Sequence, residues 1–175
     1  MDAAPKLDKP MMLLKRYGWV ALLLAILLFS YYIRAYNVVP DKLLGYDPTF
    51  QFRFTKYFAD WGHLPSWDEL SYYTGRPVFA FSPFMYYLTA VLWWIIKGFG
   101  VSLMTTASYA SAVYGALIVI PACLLGRELS NKWGGLMTAM LIGAAPQILI
   151  RTFGSSYDTD QLVLFFVLLT SFAAV

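Results

Sequence analysis

The residues able to do chemistry in this chain are three aspartates and one arginine. Asp158 and Asp160 stand in Tyr157-Asp158-Thr159-Asp160, between two strongly apolar segments. Asp47 lies in Gly45-Tyr46-Asp47-Pro48, beyond the first apolar segment, and Arg151 closes the segment ahead of the pair. Charged side chains are costly near a bilayer, so acids in such places mark functional positions by default. Two carboxylates spaced D-x-D supply hard oxygen donors that hold a divalent cation beside a phosphate. Each residue also has a plainer role. Asp47 can cap a helix that opens with Pro48. Asp158 and Asp160 can cap the final helix, with Asp160 favoured by the positive end of its dipole. One acid suffices for capping, however, and two repel each other unless a cation or an arginine offsets them. Arg151 is either a snorkelling anchor at a helix end or a guanidinium aimed at a phosphate or at the carboxylate pair.

Whether three acids share one site depends on what positions them. The chain is 59% hydrophobic and only 13% charged, against about 25% charged in ordinary soluble domains. Too little polar surface exists to cover a globule, so the composition gives an all-α, polytopic integral membrane bundle in a lipid bilayer. A net charge of +3 gives no reason to expect nucleic acid as a partner. Cys123 is the single cysteine and has no partner for an intrachain disulfide. His63 is likewise the single histidine, which makes it a loop residue rather than a metal ligand.

Residues 1–16 carry Lys6, Lys9, Lys15 and Arg16 and read as a cytoplasmic N-terminal segment. Residues 17–36 form the first transmembrane helix, with Tyr31, Tyr32 and Tyr36 as an interfacial belt. No small-x-small cleavage site marks that run as a signal peptide. Residues 37–104 read as a long external loop. Within it Phe50, Phe54, Tyr57, Phe58 and Trp61 recur at helical spacing, an amphipathic helix suited to a membrane surface that ends at Gly62. The stretch 71–77 reads as loop. Residues 105–175 hold transmembrane helices, with an external D-x-D loop at about 151–161.

The topology turns on segment 82–96, which is bounded by Pro83 and Lys97. A spanning helix needs about 17–25 apolar residues. The runs at 105–125 and 133–150 qualify, and 82–96 is short. Arg127 and Lys132, between those two runs, belong in the cytoplasm with the N-terminus. That requires an even number of crossings before them, so 82–96 is an interfacial helix of the external loop. All three acids then lie outside.

At this point the residues resemble a known family. Gly45-Tyr46-Asp47-Pro48 followed by Phe50-Gln51-Phe52-Arg53 resembles the first acidic motif of the catalytic subunit of oligosaccharyltransferase. The stretch from Arg151 through Tyr157-Asp158-Thr159-Asp160 resembles its second, including the upstream arginine. The resemblance runs in order over nearly the whole chain. It implies a GT-C-type membrane glycosyltransferase. Such enzymes move a lipid-linked oligosaccharide from a polyprenyl phosphate or pyrophosphate carrier to Asn in Asn-x-Ser/Thr sequences of an acceptor polypeptide. It also implies that Asp47, Asp158 and Asp160 hold Mn²⁺ or Mg²⁺ on the external face, and that Arg151 belongs to the same catalytic surface.

The chain departs from the family pattern at Gln51, where His is frequent, and at Tyr72-Tyr73-Thr74-Gly75, where Tyr-Pro-x-Gly is frequent. Neither departure touches the acids. The family's further helices, its later catalytic Glu and its C-terminal acceptor-reading domain have no counterpart before Val175. The chain therefore reads as an N-terminal fragment, inactive alone, whose remaining metal ligand lies beyond Val175. The compact external loop favours an archaeal or bacterial plasma membrane over the endoplasmic reticulum.

Two other functions compete. Another polyprenyl-phosphate-sugar transferase of the GT-C type would share the early external acid without needing the second motif. A transporter or channel segment would place its acids at mid-depth, facing a bundle interior.

Overall fold

The computed structural model describes residues 9–71, 74–78 and 83–175, with the side chains of 9–16 left aside. Lys6, Tyr72 and Tyr73, and the side chains of Lys9, Lys15 and Arg16, thus lie outside the described residues. Nearly every element is a helix, as the composition requires. Helix α1 spans Lys9–Ala35, and its Tyr17–Ala35 portion is long and apolar enough to cross a membrane. Helix α2 spans Tyr46–Trp61 and α3 spans Phe84–Ile96, with a 3₁₀ turn at Lys97–Phe99. Between them, β1 (Trp67–Asp68) pairs antiparallel with β2 (Arg76–Pro77), a ribbon where the sequence suggests only loop.

Helices α4 (Leu103–Leu117) and α5 (Val119–Leu129) follow, and together they make a second run long enough to cross. Their junction sits at Ile118 because Pro121 has no N–H for the carbonyl of Leu117. The chain returns through α6 (Lys132–Ala144) and α7 (Pro146–Thr152). Asn131 caps α6, its side chain accepting from the amides of Trp133 at 2.9 Å and Gly134 at 3.2 Å. Helices α5 and α6 pack closely because small residues face each other; a Cβ on Gly135 would stand 2.6 Å from the Cys123 carbonyl oxygen. Cys123 is buried in this seam and unpaired. Helix α8, Asp160–Ala173, packs back along α5 and α4.

The return limb is not straight. Helices α6 and α7 meet at 57°, because Pro146 cannot donate and Ala145 before it is extended. Such a break leaves carbonyls without helical partners, which is costly away from water. Arg34, near the end of α1, answers one of them. Its Nη1 donates to the Gly143 carbonyl at 2.7 Å, to the Ser30 carbonyl at 2.9 Å and to Ser30 Oγ at 2.6 Å. Its Nε donates to Thr152 Oγ1 at 2.9 Å. Arg34 is 1% exposed, and among the described residues no carboxylate lies within ion-pair range of it.

Two ends of the bundle are thereby distinguished. At one, Arg127 sits over the Trp19 ring, 5.2 Å from its centroid, joining the α5–α6 connection to the first part of the apolar run of α1. At the other, the end of α1, the start of α4 and the segment before α8 converge. Helix α3 with its 3₁₀ turn is a shorter apolar helix, below the length needed to cross. It packs on α2. The aromatic face of α2, which the sequence suggests for a membrane surface, is largely taken up by this contact. Phe54 stacks on Tyr86 at 5.4 Å, and Phe58 meets Tyr87 at 4.4 Å and Trp94 at 5.4 Å.

Gly115 in α4 lets that helix approach Arg34 and Thr152 closely. A Cβ there would lie 2.7 Å from both the Thr152 Cβ and its carbonyl oxygen, and 2.8 Å from Arg34 Nε. Gly115→Ala in the full-length protein should cost about 1–3 kcal/mol, the range for forced overpacking. Thermal unfolding in detergent reads this as a lowered Tm. An unchanged Tm would contradict so close an approach of α4 to Arg34 and Thr152.

Candidate functional site

Two backbone hydrogen bonds bring the acidic motifs to one end of the bundle. The Leu44 amide donates to the Ser155 carbonyl at 2.9 Å, so each motif is anchored three residues ahead of its first acid. The Gly154 amide donates to the Arg34 carbonyl at 2.8 Å. Ser155, with φ +69°, turns the chain between them through the left-handed region. Its amide is held by the Ser108 carbonyl at 3.0 Å, and Ser108 Oγ donates to the Lys42 carbonyl at 2.9 Å.

The motif residues then divide into anchors and exposed groups. Tyr157 is fully buried; its hydroxyl lies 2.8 Å from both Thr55 Oγ1 and Thr89 Oγ1. Burial holds this phenol protonated far above neutral pH. It belongs to a core with Phe54, Met85, Tyr86 and Tyr114, contributed by α2, α3 and α4. Gln161, also fully buried, donates to the carbonyls of Ser156 at 2.7 Å and Arg151 at 3.2 Å, which latches the loop onto α8. Asp160, Arg151 and Asp47 are exposed, and Asp158 is half-buried.

The capping roles open to the acids are corrected here. Gly45, not Asp47, is the N-cap of α2, at φ +106°, a conformation that favours glycine. The helix therefore starts at Tyr46, and Pro48 is its third residue rather than its first. The Asp47 carboxylate makes no capping bond. Thr159 precedes α8, and Asp160 is the first helical residue without a side-chain cap. Asp158 does serve its own backbone, with Oδ1 accepting from the Thr159 amide at 2.7 Å.

The acids share one electrostatic neighbourhood. Asp160, ahead of the apolar run that begins at Leu162, has its carboxyl pushed above the ordinary range by burial. The negative charges of Asp158 and Asp47 add to this, and Arg151 opposes it. No ion pair joins Arg151 to these acids among the described residues; the pair found there is Arg53–Asp68, which fastens α2 to the β-ribbon. Nor do any three His, Cys, Asp or Glu side chains among the described residues lie close enough to hold a metal. Asp47 opens onto a cleft of about 700 Å³ with Gln51, Arg53, Lys56 and Arg76. Asp160 and Arg151 line a separate hollow of about 300 Å³ with Gln147 and Thr152. The donor set of three carboxylates nonetheless suits a hard divalent cation, which takes oxygen ligands.

Gln51, which the sequence marks only as a departure from the family pattern, stands beside the acids. It lies one helical turn after Asp47, and its Nε2 stands 3.4 Å from Asp158 Oδ1. Its Oε1 accepts from the Tyr86 hydroxyl. The Tyr86 phenol is pushed up to about 12 by burial and by the Asp158 charge. The i, i+4 spacing from Asp47 was the signal that could have singled Gln51 out. His63 is exposed beyond α2, with Nδ1 3.3 Å from the Leu64 carbonyl oxygen, and has no part in the cluster.

This geometry has counterparts among known proteins. The family model described as oligosaccharyl transferase STT3, N-terminal, matches residues 19–175. A protein of Oryza sativa subsp. japonica, dolichyl-diphosphooligosaccharide–protein glycosyltransferase subunit STT3A, is 25% identical over 170 residues, which is 90% of this chain and 21% of that protein. Archaeal oligosaccharyltransferase AglB from Archaeoglobus fulgidus, solved with an inhibitory peptide and a dolichol-phosphate, matches with a TM-score of 0.77 and 26% identity. The match covers 89% of this chain and 19% of that one. The Archaeoglobus fulgidus oligosaccharyltransferase in complex with Zn and sulfate matches with a TM-score of 0.74 and 25% identity, over 85% of this chain and 20% of that one. The chain thus spans about a fifth of the length of these relatives. It belongs to the STT3 oligosaccharyl transferase family, in the N-terminal region that the family model describes.

Proposed function

We propose that this chain is the N-terminal part of an oligosaccharyltransferase. The enzyme transfers a lipid-linked oligosaccharide from a polyprenyl phosphate or pyrophosphate carrier to Asn in Asn-x-Ser/Thr. The observation that carries the reading is the Leu44–Ser155 backbone bond, which sets the two acidic motifs side by side at one end of the bundle. In this reading that end faces the outside, with α1, α4–α5 and α6–α7 crossing the membrane and α2 and α3 lying in the external loop. Residues 1–16 and the α5–α6 connection face the cytoplasm. The compact loop favours an archaeal or bacterial plasma membrane.

Asp47, Asp158 and Asp160 would hold Mn²⁺ or Mg²⁺, with further oxygen donors from the rest of the protein. When bound, the cation supplies Lewis-acid neutralisation of the leaving phosphate. Asp160's carboxyl is raised first by burial, and the charges of Asp158 and Asp47 add a repulsion of the kind that a cation relieves. The remaining chemistry falls to side chains. The acceptor carboxamide nitrogen is a poor nucleophile because its lone pair is delocalised into the carbonyl. Asp47, with no capping duty, accepts hydrogen bonds from that N–H group and weakens the delocalisation. Arg151, exposed beside the acids, shares the charge that develops on the departing phosphate. A lipid-linked donor holds its phosphate at the membrane–water boundary, where the acids of this reading lie. The solved AglB complex with a peptide and a dolichol-phosphate supports both partner classes, and the complex with Zn and sulfate supports a metal.

In the full-length protein, Asp47→Ala and Asp158→Ala should each abolish cation-dependent transfer to an Asn-x-Ser/Thr peptide while leaving the fold intact. Retained transfer in both would refute the assigned roles. Asp160 also has a pH signature. Its folded carboxyl takes up a proton at higher pH than an unfolded one, so its charge destabilises the metal-free fold above that range and the penalty fades as pH falls through it. Asp160→Asn should therefore raise the Tm of metal-free protein at neutral pH, with a gain that shrinks on acidification. Saturating Mn²⁺ should reverse the order. A variant less stable than wild type without metal at neutral pH would contradict the crowding of the three charges.

A further inference from the structure

We infer that Gln51, oriented by Tyr86, is a positioning residue for Asp158, fixing one carboxylate oxygen so that the other is presented to a cation. The inference rests on the metal-holding reading of the acids given above.

The direction of the chain of hydrogen bonds is set by chemistry. An amide side chain has one donating and one accepting end, and an ionised carboxylate only accepts. Gln51 must therefore turn Nε2 toward Asp158, 3.4 Å from Oδ1. Oε1 then points the other way and accepts from the Tyr86 hydroxyl. A reversed amide would set its oxygen against the carboxylate. Tyr86 is itself held by packing: it is fully buried in α3, with its ring stacked 5.4 Å from that of Phe54. The orientation thus passes from the aromatic core beneath the site, through Gln51, to the acid.

The two oxygens of Asp158 end up unlike each other. Oδ1 faces Gln51 Nε2, the Thr159 amide at 2.7 Å and Thr159 Oγ1 at 3.4 Å. Oδ2 takes no hydrogen bond among the described residues. A carboxylate with one oxygen held by outer groups and the other open is arranged as a monodentate ligand, and removal of such outer partners typically weakens metal binding about 10–100-fold. Gln51 also lies on the helix of Asp47, one turn along, so the same contact sets the separation between the two motifs. It lines both the Asp47 cleft and the apolar groove that runs between α3 and α8 past Thr159.

The test uses full-length, metal-free protein titrated with Mn²⁺, with free Mn²⁺ read by electron paramagnetic resonance and folding by thermal unfolding. Gln51→Leu should weaken Mn²⁺ binding about tenfold or more at an unchanged metal-free Tm. Gln51→His, which restores an N–H donor, should recover most of the affinity. Tyr86→Phe keeps the ring and should give a smaller loss in the same direction; it carries the test if Gln51→Leu does not fold. Wild-type affinity in the folded Gln51 and Tyr86 variants, with Mn²⁺ binding lost in Asp158→Ala, would overturn the positioning role and leave the site standing. Undiminished binding in Asp158→Ala would overturn the metal-holding reading and this inference with it.

Discussion

The Arg34 guanidinium is the contact on which the rest of this structure depends. A buried arginine stays charged, and an unpaired charge in a low-dielectric interior is costly. Here the cost is offset by acceptors rather than by a carboxylate. The bend at Ala145–Pro146 releases the Gly143 carbonyl, and Arg34 occupies that carbonyl together with the carbonyl and hydroxyl of Ser30. The break in one helix and the charge in another are each unfavourable alone, and the bonds of Nη1 and Nε offset part of both, with the buried Nη2 left without a hydrogen-bond partner among the described residues. The same guanidinium reaches Thr152 through Nε, and the Arg34 carbonyl takes the Gly154 amide. One residue therefore holds both sides of the chain that leads from α7 into the D-x-D segment.

The polar arrangement follows from that anchorage. With Gly154 fixed, Ser155 can turn the chain and offer its carbonyl to Leu44, which draws the Gly45-Tyr46-Asp47 segment alongside. Tyr157 then points down into the α2–α3–α4 core, and the flanking polar residues are left facing outward. Alternation does the rest: Tyr157 is buried and Asp158 lies at the surface, held by Thr159 and Gln51. The carboxylates are crowded enough to feel one another and too dispersed to form a closed ligand shell among the described residues.

Much of the fold was legible because membrane helices carry their own signal. The run 17–36, the runs near 105–125 and 133–150, and the shortness of 82–96 all reappear as helices α1, α4–α5, α6–α7 and α3, since backbone satisfaction leaves few alternatives to a helix. Gly62 ends α2 in the left-handed conformation, as its place in the sequence suggests. What was not legible depended on distant partners. Arg34 sits in an apolar run and looks like an interfacial residue until Gly143 and Thr152 are folded against it. Gln51 looks like a polar filler on a helix surface until Asp158 and Tyr86 arrive. The β-ribbon at Trp67–Asp68 and Arg76–Pro77 has too few residues for a periodic signal. Asp47-Pro48 suggests a helix opening at Pro48, whereas Gly45 takes the cap by virtue of a backbone angle. Family resemblance located the acidic motifs in the sequence; the hydrogen bonds account for how they meet.

In the proposed function, Asp47 and Asp158 occupy the same face of the membrane and open to one site. The most direct measurement is labelling of Asp47→Cys and Asp158→Cys, each in otherwise cysteine-free full-length protein, with a membrane-impermeant maleimide applied to sealed vesicles of known orientation. Both positions should react from the external side. Spin labels at the two positions of the double variant should report a short separation. Reaction of the two positions from opposite sides of the membrane would contradict the shared site.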